Sequence, residues 1–293
     1  MAETITVRTP DGRDLEVLQI GPAGGAPFVL HVGTPSAARD IPQVNRATRD
    51  RGLRTVIYSR PGYATSTPAP GRSVADAAAD TRAVLDALDV DRFVTLGWSG
   101  GGPHALACAA LLPGRCLAAA TLAGVAPYHA DGLNWLAGMG EENVTEFRAA
   151  RAGEKELTAF LSAEAPGLAT VTGAEVASAL GGLVSDVDKA ALTGDFADAL
   201  AESFRRAVST GIAGWRDDDL AFVRPWGFAL SDITVPVSVW QGGQDRMVPY
   251  AHGMWLAERI PGVRVHLYDD EGHLSLVNQF GRILDDLLDL AGR

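Results

Sequence analysis

Residues 92–113 read RFVTLGWSGGGPHALACAALLP. The first seven are β-branched, aromatic or apolar after Arg92, as in a strand buried on both faces. The alanine-rich end reads as a helix. Pro103 stands near its start, where a missing N–H costs little, and Pro113-Gly114 ends it. Between the two elements lies Gly97-Trp98-Ser99-Gly100-Gly101, a G-x-S-x-G pattern. A serine on a tight strand-to-helix turn takes a strained backbone conformation, and small residues two before and two after let the turn close. Such a turn lifts the hydroxyl above the sheet edge and aims the first helical N–H groups at whatever it attacks. A plain glycine-rich turn is the alternative in a chain with 33 glycines. The strand before and the helix after are the context that a nucleophile elbow requires.

Working outward, five further runs read as buried strands: 27–33, 54–60, 117–124, 235–242 and 263–270. Helix-period segments separate several of them. In 73–90, Ser73 is a candidate N-cap with Asp76 three residues on, and Val74, Ala77, Ala78, Thr81, Leu85 and Leu88 form one stripe. The segment 276–290 puts Val277, Phe280, Leu284 and Leu287 on one side. Residues 5–21, ITVRTPDGRDLEVLQIG, read instead as an antiparallel hairpin turning at Asp11-Gly12. Alternating strands and helices predict an α/β chain with a mostly parallel central sheet covered on both faces. The alternation fails between about 127 and 210, where only amphipathic helical pieces occur. The expected organisation is therefore a core of residues 1–126 and 211–293 with a helical insertion at 127–210.

The 293 residues carry 25 Lys and Arg against 36 Asp and Glu, a net charge of −11. Nucleic-acid binding needs a basic footprint and anionic membrane surfaces attract basic ones, so neither is expected as a partner. No apolar run approaches the ~20 residues that span a bilayer. No signal peptide is evident at the start, so the expected location is cytoplasmic. Cys108 and Cys116 are read as buried thiols, since two cysteines do not make a disulfide framework.

A serine hydroxyl needs a base to take its proton, and the base needs a carboxylate to orient it. Asp245 follows the strand 235–242, and His273 stands in the loop after 263–270. With Ser99 they give the order Ser–Asp–His, all at the carboxyl ends of expected parallel strands, where such sheets build their sites. An oxyanion hole needs two donors. Gly100 N–H follows the nucleophile, and Thr34 N–H, in HVGTPSA after the first parallel strand, is the second candidate, with Gly33 as fallback. His104, one turn into the helix after Ser99, reads as packed or lining a pocket. His129, His252 and His266 have no partner pattern. The sequence has no H-E-x-x-H, no C-x-x-C and no G-x-G-x-x-G followed by an acid, so no metal and no cofactor are expected.

Taken with HVGTP, YSRPGYATS, GGQDRMVP and EGHLSL, the elbow makes the chain resemble the α/β-hydrolase superfamily. Within it the pattern is similar to the small capped hydrolases, such as proline iminopeptidase-like and esterase members. The likeness covers nearly the whole chain outside the insertion. It implies Ser99 as nucleophile, Asp245 as acid, His273 as base, Thr34 and Gly100 as oxyanion donors, and 127–210 as a helical cap over the substrate. Val32, Ser59 and Trp98 stand where the family often has His, Asp and His. All three are expected near the mouth of the site, so Val32, Trp98 and His104 are candidate pocket residues for an apolar substrate. Serine at the elbow disfavours haloalkane dehalogenase and epoxide hydrolase chemistry, since those groups use Asp there.

The expected function is hydrolysis of a carboxylic ester of a small, apolar molecule through an acyl-enzyme. Alternatives are an aminopeptidase acting on N-terminal proline, with Glu141 and Glu142 as candidate ammonium partners, a C–C bond hydrolase, and an acyl-transfer enzyme. A ligand-binding receptor on the same fold is the non-enzymatic option.

Overall fold

The computed structural model describes residues 2–293. Eight strands form one sheet: β1 (Ala2–Arg8), β2 (Asp14–Ile20), β3 (Ala26–His31), β4 (Leu53–Tyr58), β5 (Phe93–Trp98), β6 (Cys116–Leu122), β7 (Val237–Gly242) and β8 (Arg264–Tyr268). Their spatial order is β1-β2-β4-β3-β5-β6-β7-β8. β2 runs antiparallel to β1 and β4, and every pair from β4 through β8 is parallel. This is the mostly parallel α/β sheet that the alternation predicts, in the arrangement that the resemblance implies. The expected hairpin is β1–β2, with Gly12 at φ +88 in the connection.

The parallel strands bury both faces, and their period-2 side chains divide into two cores. Phe28 and Leu30 of β3, Val94, Leu96 and Trp98 of β5, and Ala118, Ala120 and Leu122 of β6 point to one side. There α1 (Pro42–Asp50) and α11 (Phe280–Leu290) cover the sheet, with Val44, Ile283, Leu284 and Leu287 fully packed. Val29, Phe93 and Ala119 point to the other side. They meet α2 (Asp76–Ala87), α3 (Gly102–Leu111) and α10 (Tyr250–Arg259) through Val84, Leu85, Leu106 and Leu256. Helix α3 is buried along nine of its ten residues, which explains why it is built mostly of alanine and other apolar residues all round rather than as an amphipathic stripe.

The helix boundaries depart from the periodicity in three places. α2 opens at Asp76, and Ser73 forms a turn ahead of it, donating its N–H and Oγ–H to Asp76 Oδ2 at 2.7 and 2.9 Å. The amphipathic stretch 143–165 within the insertion divides into α4 (Glu141–Ala152) and α5 (Glu154–Thr170) at Gly153, whose φ is +133. The final helix begins as a 3-10 turn at Ser275–Gln279 and becomes α-helical only from Phe280.

Between β6 and β7 there is no strand among the described residues. Helices α4, α5, α6 (Val176–Ala179), α7 (Asp186–Ala191), α8 (Gly194–Ala207) and α9 (Ala213–Phe222) fill that segment. The helical stretch thus runs past residue 210. Both cysteines are free and buried, and no helix is long and apolar enough to cross a membrane.

Candidate active site

The turn after β5 has the geometry that its composition requires. Ser99 sits in the left-handed region at φ +56 and opens a 3-10 turn, Ser99–Gly101, that leads into α3. A side chain there costs roughly 1–2 kcal/mol relative to ordinary backbone. The flanking glycines are obligatory. A Cβ on Gly97 would overlap the Gly101 carbonyl, and one on Gly101 would overlap the His31 carbonyl at the end of β3. The turn can close only because two backbones touch where a methyl group would stand.

The loop after β3 lies directly beside the elbow. A Cβ built on Gly33 would be 3.3 Å from Ser99 Cβ and 3.7 Å from its Oγ. One on Gly100 would meet the Thr34 side chain and stand 3.1 Å from the Phe222 ring. The N–H groups of Thr34 and Gly100 enter no backbone hydrogen bond, so both are free to donate.

On the far side of the sheet's carboxyl edge, His273 Nδ1 donates to Asp245 Oδ2 at 2.8 Å, and both side chains are buried. Asp245 is held by the Gln241 amide at 3.0 Å and by the N–H groups of Met247 and Val248, each at 2.8 Å. Since Nδ1 carries the proton, Nε2 of the neutral ring keeps its lone pair. Burial pulls the His273 pKa down. The Asp245 charge and hydrogen bond, and more weakly the charge of Asp188, outweigh it and leave the pKa above that of a free imidazole. Ser99 Oγ makes no hydrogen bond with His273 in this resting arrangement. The structure therefore joins two of the three expected partners and leaves the serine uncoupled. Such links are often long without substrate.

His104 is fully buried in α3, and its Nδ1 donates to Gly100 O at 2.9 Å. Burial, then the charge of Arg60, keeps it neutral well below the usual imidazole range. Trp98 is 5% exposed and stacks on Phe196 of α8, with centroids 6.1 Å apart and planes 6° apart. Val32, also 5% exposed, gives its carbonyl to Arg60 Nη1 at 2.5 Å. Ser59 corrects the expectation that it lies at a mouth. It is wholly buried, donates to Glu16 Oε1 of β2 at 2.8 Å and accepts from Ala38 N–H at 2.9 Å. Glu141 and Glu142, the candidate ammonium partners, are exposed, and Glu142 accepts from Gly182 N–H at 2.8 Å.

Sequence reasoning missed a buried charge network that grips the Thr34 loop. Asp218 of α9 is fully buried and accepts from Arg60 Nη2 at 2.6 Å, Arg72 Nη1 at 2.7 Å, Thr34 Oγ1 at 2.7 Å and Tyr63 Oη at 2.9 Å. Arg60 also donates to Gly33 O at 2.8 Å and to Thr34 Oγ1 at 2.9 Å. Burial alone would raise the Asp218 pKa; Arg60 and Arg72 together force it well below the carboxylate range. The RPGY motif contained half of this signal. Asp218, in WRDDDL 158 residues away, reads in the sequence as one of three surface acids. Asp188 of α7 was missed in the same way. It accepts from the Leu274 and Ser275 N–H groups, at 2.7 and 3.0 Å, in the loop that carries His273. No group of three or more His, Cys, Asp or Glu side chains stands ready to hold a metal ion among the described residues.

The model of the alpha/beta hydrolase fold matches residues 26–279. A non-heme chloroperoxidase of Streptomyces lividans is 34% identical over 152 residues, which is 51% of this chain and 55% of that protein. The chain thus spans little more than half the length of that relative. A pimeloyl-[acyl-carrier protein] methyl ester esterase of Aromatoleum aromaticum is 28% identical over 78% of this chain and 83% of its own. The crystal structure of a hydrolase from Pseudomonas aeruginosa superposes with a TM-score of 0.70 over 99% of both chains at 21% identity, a likeness of fold.

Proposed function

Since the chain belongs to the alpha/beta hydrolase fold family, we propose that this enzyme hydrolyses a carboxylic ester of a small, apolar molecule through a Ser99 acyl-enzyme. The buried His273–Asp245 pair at 2.8 Å carries the reading, because a histidine so oriented at this sheet edge has no structural need of its carboxylate. Ser99 rotates to bring Oγ to His273 Nε2, gives up its proton there and attacks the ester carbonyl. The free N–H groups of Thr34 and Gly100 receive the oxyanion; removing one such donor costs about 10²–10³ in rate. Asp245 holds the ring tautomer and stabilises the imidazolium. His273 then returns the proton to the departing alcohol, and water repeats the sequence on the acyl-enzyme. Phe222, whose ring would stand 3.1 Å from a Cβ on Gly100, supports an apolar acyl or alcohol group. The helical segment after β6 serves as the cap, and no cofactor enters the scheme.

A fluorophosphonate probe is expected to label Ser99 in the native protein and not in a Ser99→Ala variant. Aryl acetates and butyrates are expected to turn over faster than prolyl amides. Absence of labelling with a competent probe removes the serine-hydrolase reading. Prolyl amides turning over far faster than esters replaces the substrate class with an aminopeptidase's.

A further inference from the structure

Asp188 is the third residue of α7, and its side chain has no solvent exposure. One oxygen does local work: Oδ2 accepts from Ser185 Oγ at 2.9 Å, closing a capping box at the start of the helix. The other oxygen reaches out of the helix. Oδ1 accepts the N–H groups of Leu274 and Ser275, the two residues that follow His273 and lead into the 3-10 turn. The residue before His273 closes around the same carboxylate, for a Cβ on Gly272 would fall on the Asp188 oxygens. Residues 272–275 are therefore wrapped about one carboxylate lent by the helical segment between β6 and β7. A cap alone does not justify burying a charge, since an exposed Asp or Ser does that work without the desolvation cost. Two charge-assisted bonds to the loop do justify it.

We propose that Asp188 is a positioning residue for His273: it fixes the backbone of the base's loop while Asp245 fixes the ring, and so makes the helical segment a part of the catalytic frame. This rests on the reading of Ser99, His273 and Asp245 as a triad. The charged groups facing the imidazole are Asp245 from the loop after β7 and Asp188 from α7. Glu271, in the same loop, is turned away to Ser275 Oγ and the Gln279 amide, at 2.5 and 2.8 Å. Asp188 thus has two separable effects, one on place and one on charge.

Two variants of the full chain separate them, both checked for folding by circular dichroism and thermal unfolding. Asp188→Asn keeps an oxygen for the two N–H groups but removes the charge. It is expected to move the acid limb of kcat/KM to lower pH while kcat falls less than about tenfold. Asp188→Ala removes both effects. Its kcat on an aryl butyrate is expected to fall by about 10²-fold, the loss typical of an ångström of misplacement, with KM within about threefold. The His273 titration, followed by NMR and assigned with a His273→Gln variant, is expected to fall in both variants. If Asp188→Ala does not fold, Asp188→Asn carries the test through the titration and the acid limb. A folded variant with wild-type kcat and an unmoved His273 titration overturns the proposal. If Ser99 in the wild type resists the fluorophosphonate, the triad reading has failed, and the proposal falls with it. The two failures are distinct, because the His273 titration is read without substrate.

Discussion

Replacing Asp218 with Asn tests whether the buried charge network sets the shape of the Thr34 loop. Asn conserves the volume but removes the charge of the carboxylate that pairs with both Arg60 and Arg72, which are 2% and 8% exposed. It also turns an NH2 group toward donors, so that one oxygen is left to accept from Arg60, Arg72, Thr34 and Tyr63 where two did before. Breaking a buried ion pair on one side costs about 3–5 kcal/mol, because the remaining charge is stranded away from water. With a urea m-value of about 2.5 kcal/mol/M, the midpoint is expected to fall by about 1.2–2 M. The sign with pH is fixed by the depressed Asp218 pKa. A carboxylate whose folded pKa lies below its unfolded value near ~3.9 contributes fully above that value, and the contribution is lost only as pH falls through the folded pKa. The gap between wild type and Asp218→Asn should therefore be flat from about pH 5 to 9 and close in acid. Catalysis should fail alongside stability, since Arg60 holds the carbonyls of Val32 and Gly33 and the Thr34 hydroxyl. A drift of about 1 Å in that loop costs about 10²-fold in kcat. Equilibrium urea unfolding at pH 5, 7 and 9, with kcat on an aryl ester in native buffer, measures both effects. A loss under about 1 kcal/mol, or one that varies strongly across that pH range, refutes the reasoning.

Gly101→Ala places a methyl group on the His31 carbonyl and within 2.9 Å of the Val32 carbonyl. The expected result is insoluble protein, or a folded fraction that no longer takes the fluorophosphonate; soluble, labelled protein at wild-type yield contradicts it. His273 must be neutral to act as base, and its pKa is raised by Asp245 and Asp188 against burial. The acid limb of kcat/KM is therefore expected at a pH above ~6.5, and a rate unchanged down to pH 6 counts against His273 as the base. Asp219 is fully buried beside Glu146, and burial together with the charge of Glu146 and the hydrogen bond between the two carboxyls raises its pKa well above the usual range. A carboxyl with a raised folded pKa loses stability as pH climbs through that value. Asp219→Asn should then raise the melting temperature relative to wild type more at pH 8 than at pH 5, and a uniform loss at both pH values argues the opposite.

The sequence by itself determined the elements and the elbow. The strand before Ser99, the helix after it and the glycines between them are local signals, because strand periodicity, helix composition and the Gly97–Gly101 approach involve residues within one turn of each other. The positions of Asp245 and His273 were legible for a related reason: parallel strands carry their chemistry at their carboxyl ends, so a strand's end can be found without knowing its neighbours. Gly153 and the late start of α11 were not read, since apolar periodicity runs on through a break that depends on one residue's φ or on a 3-10 first turn. Ser59 was misplaced because its partner, Glu16, lies on a strand that becomes adjacent only when the antiparallel edge is added to the sheet. Asp188 and Asp218 look in the sequence like the solvated acids of two polar helix faces. Only the tertiary structure decided otherwise, by bringing main-chain N–H groups 86 residues away to one and two arginines to the other. Whether a carboxylate faces water or a buried donor is a property of what packs over it, and that partner lies far beyond the range over which a sequence pattern repeats.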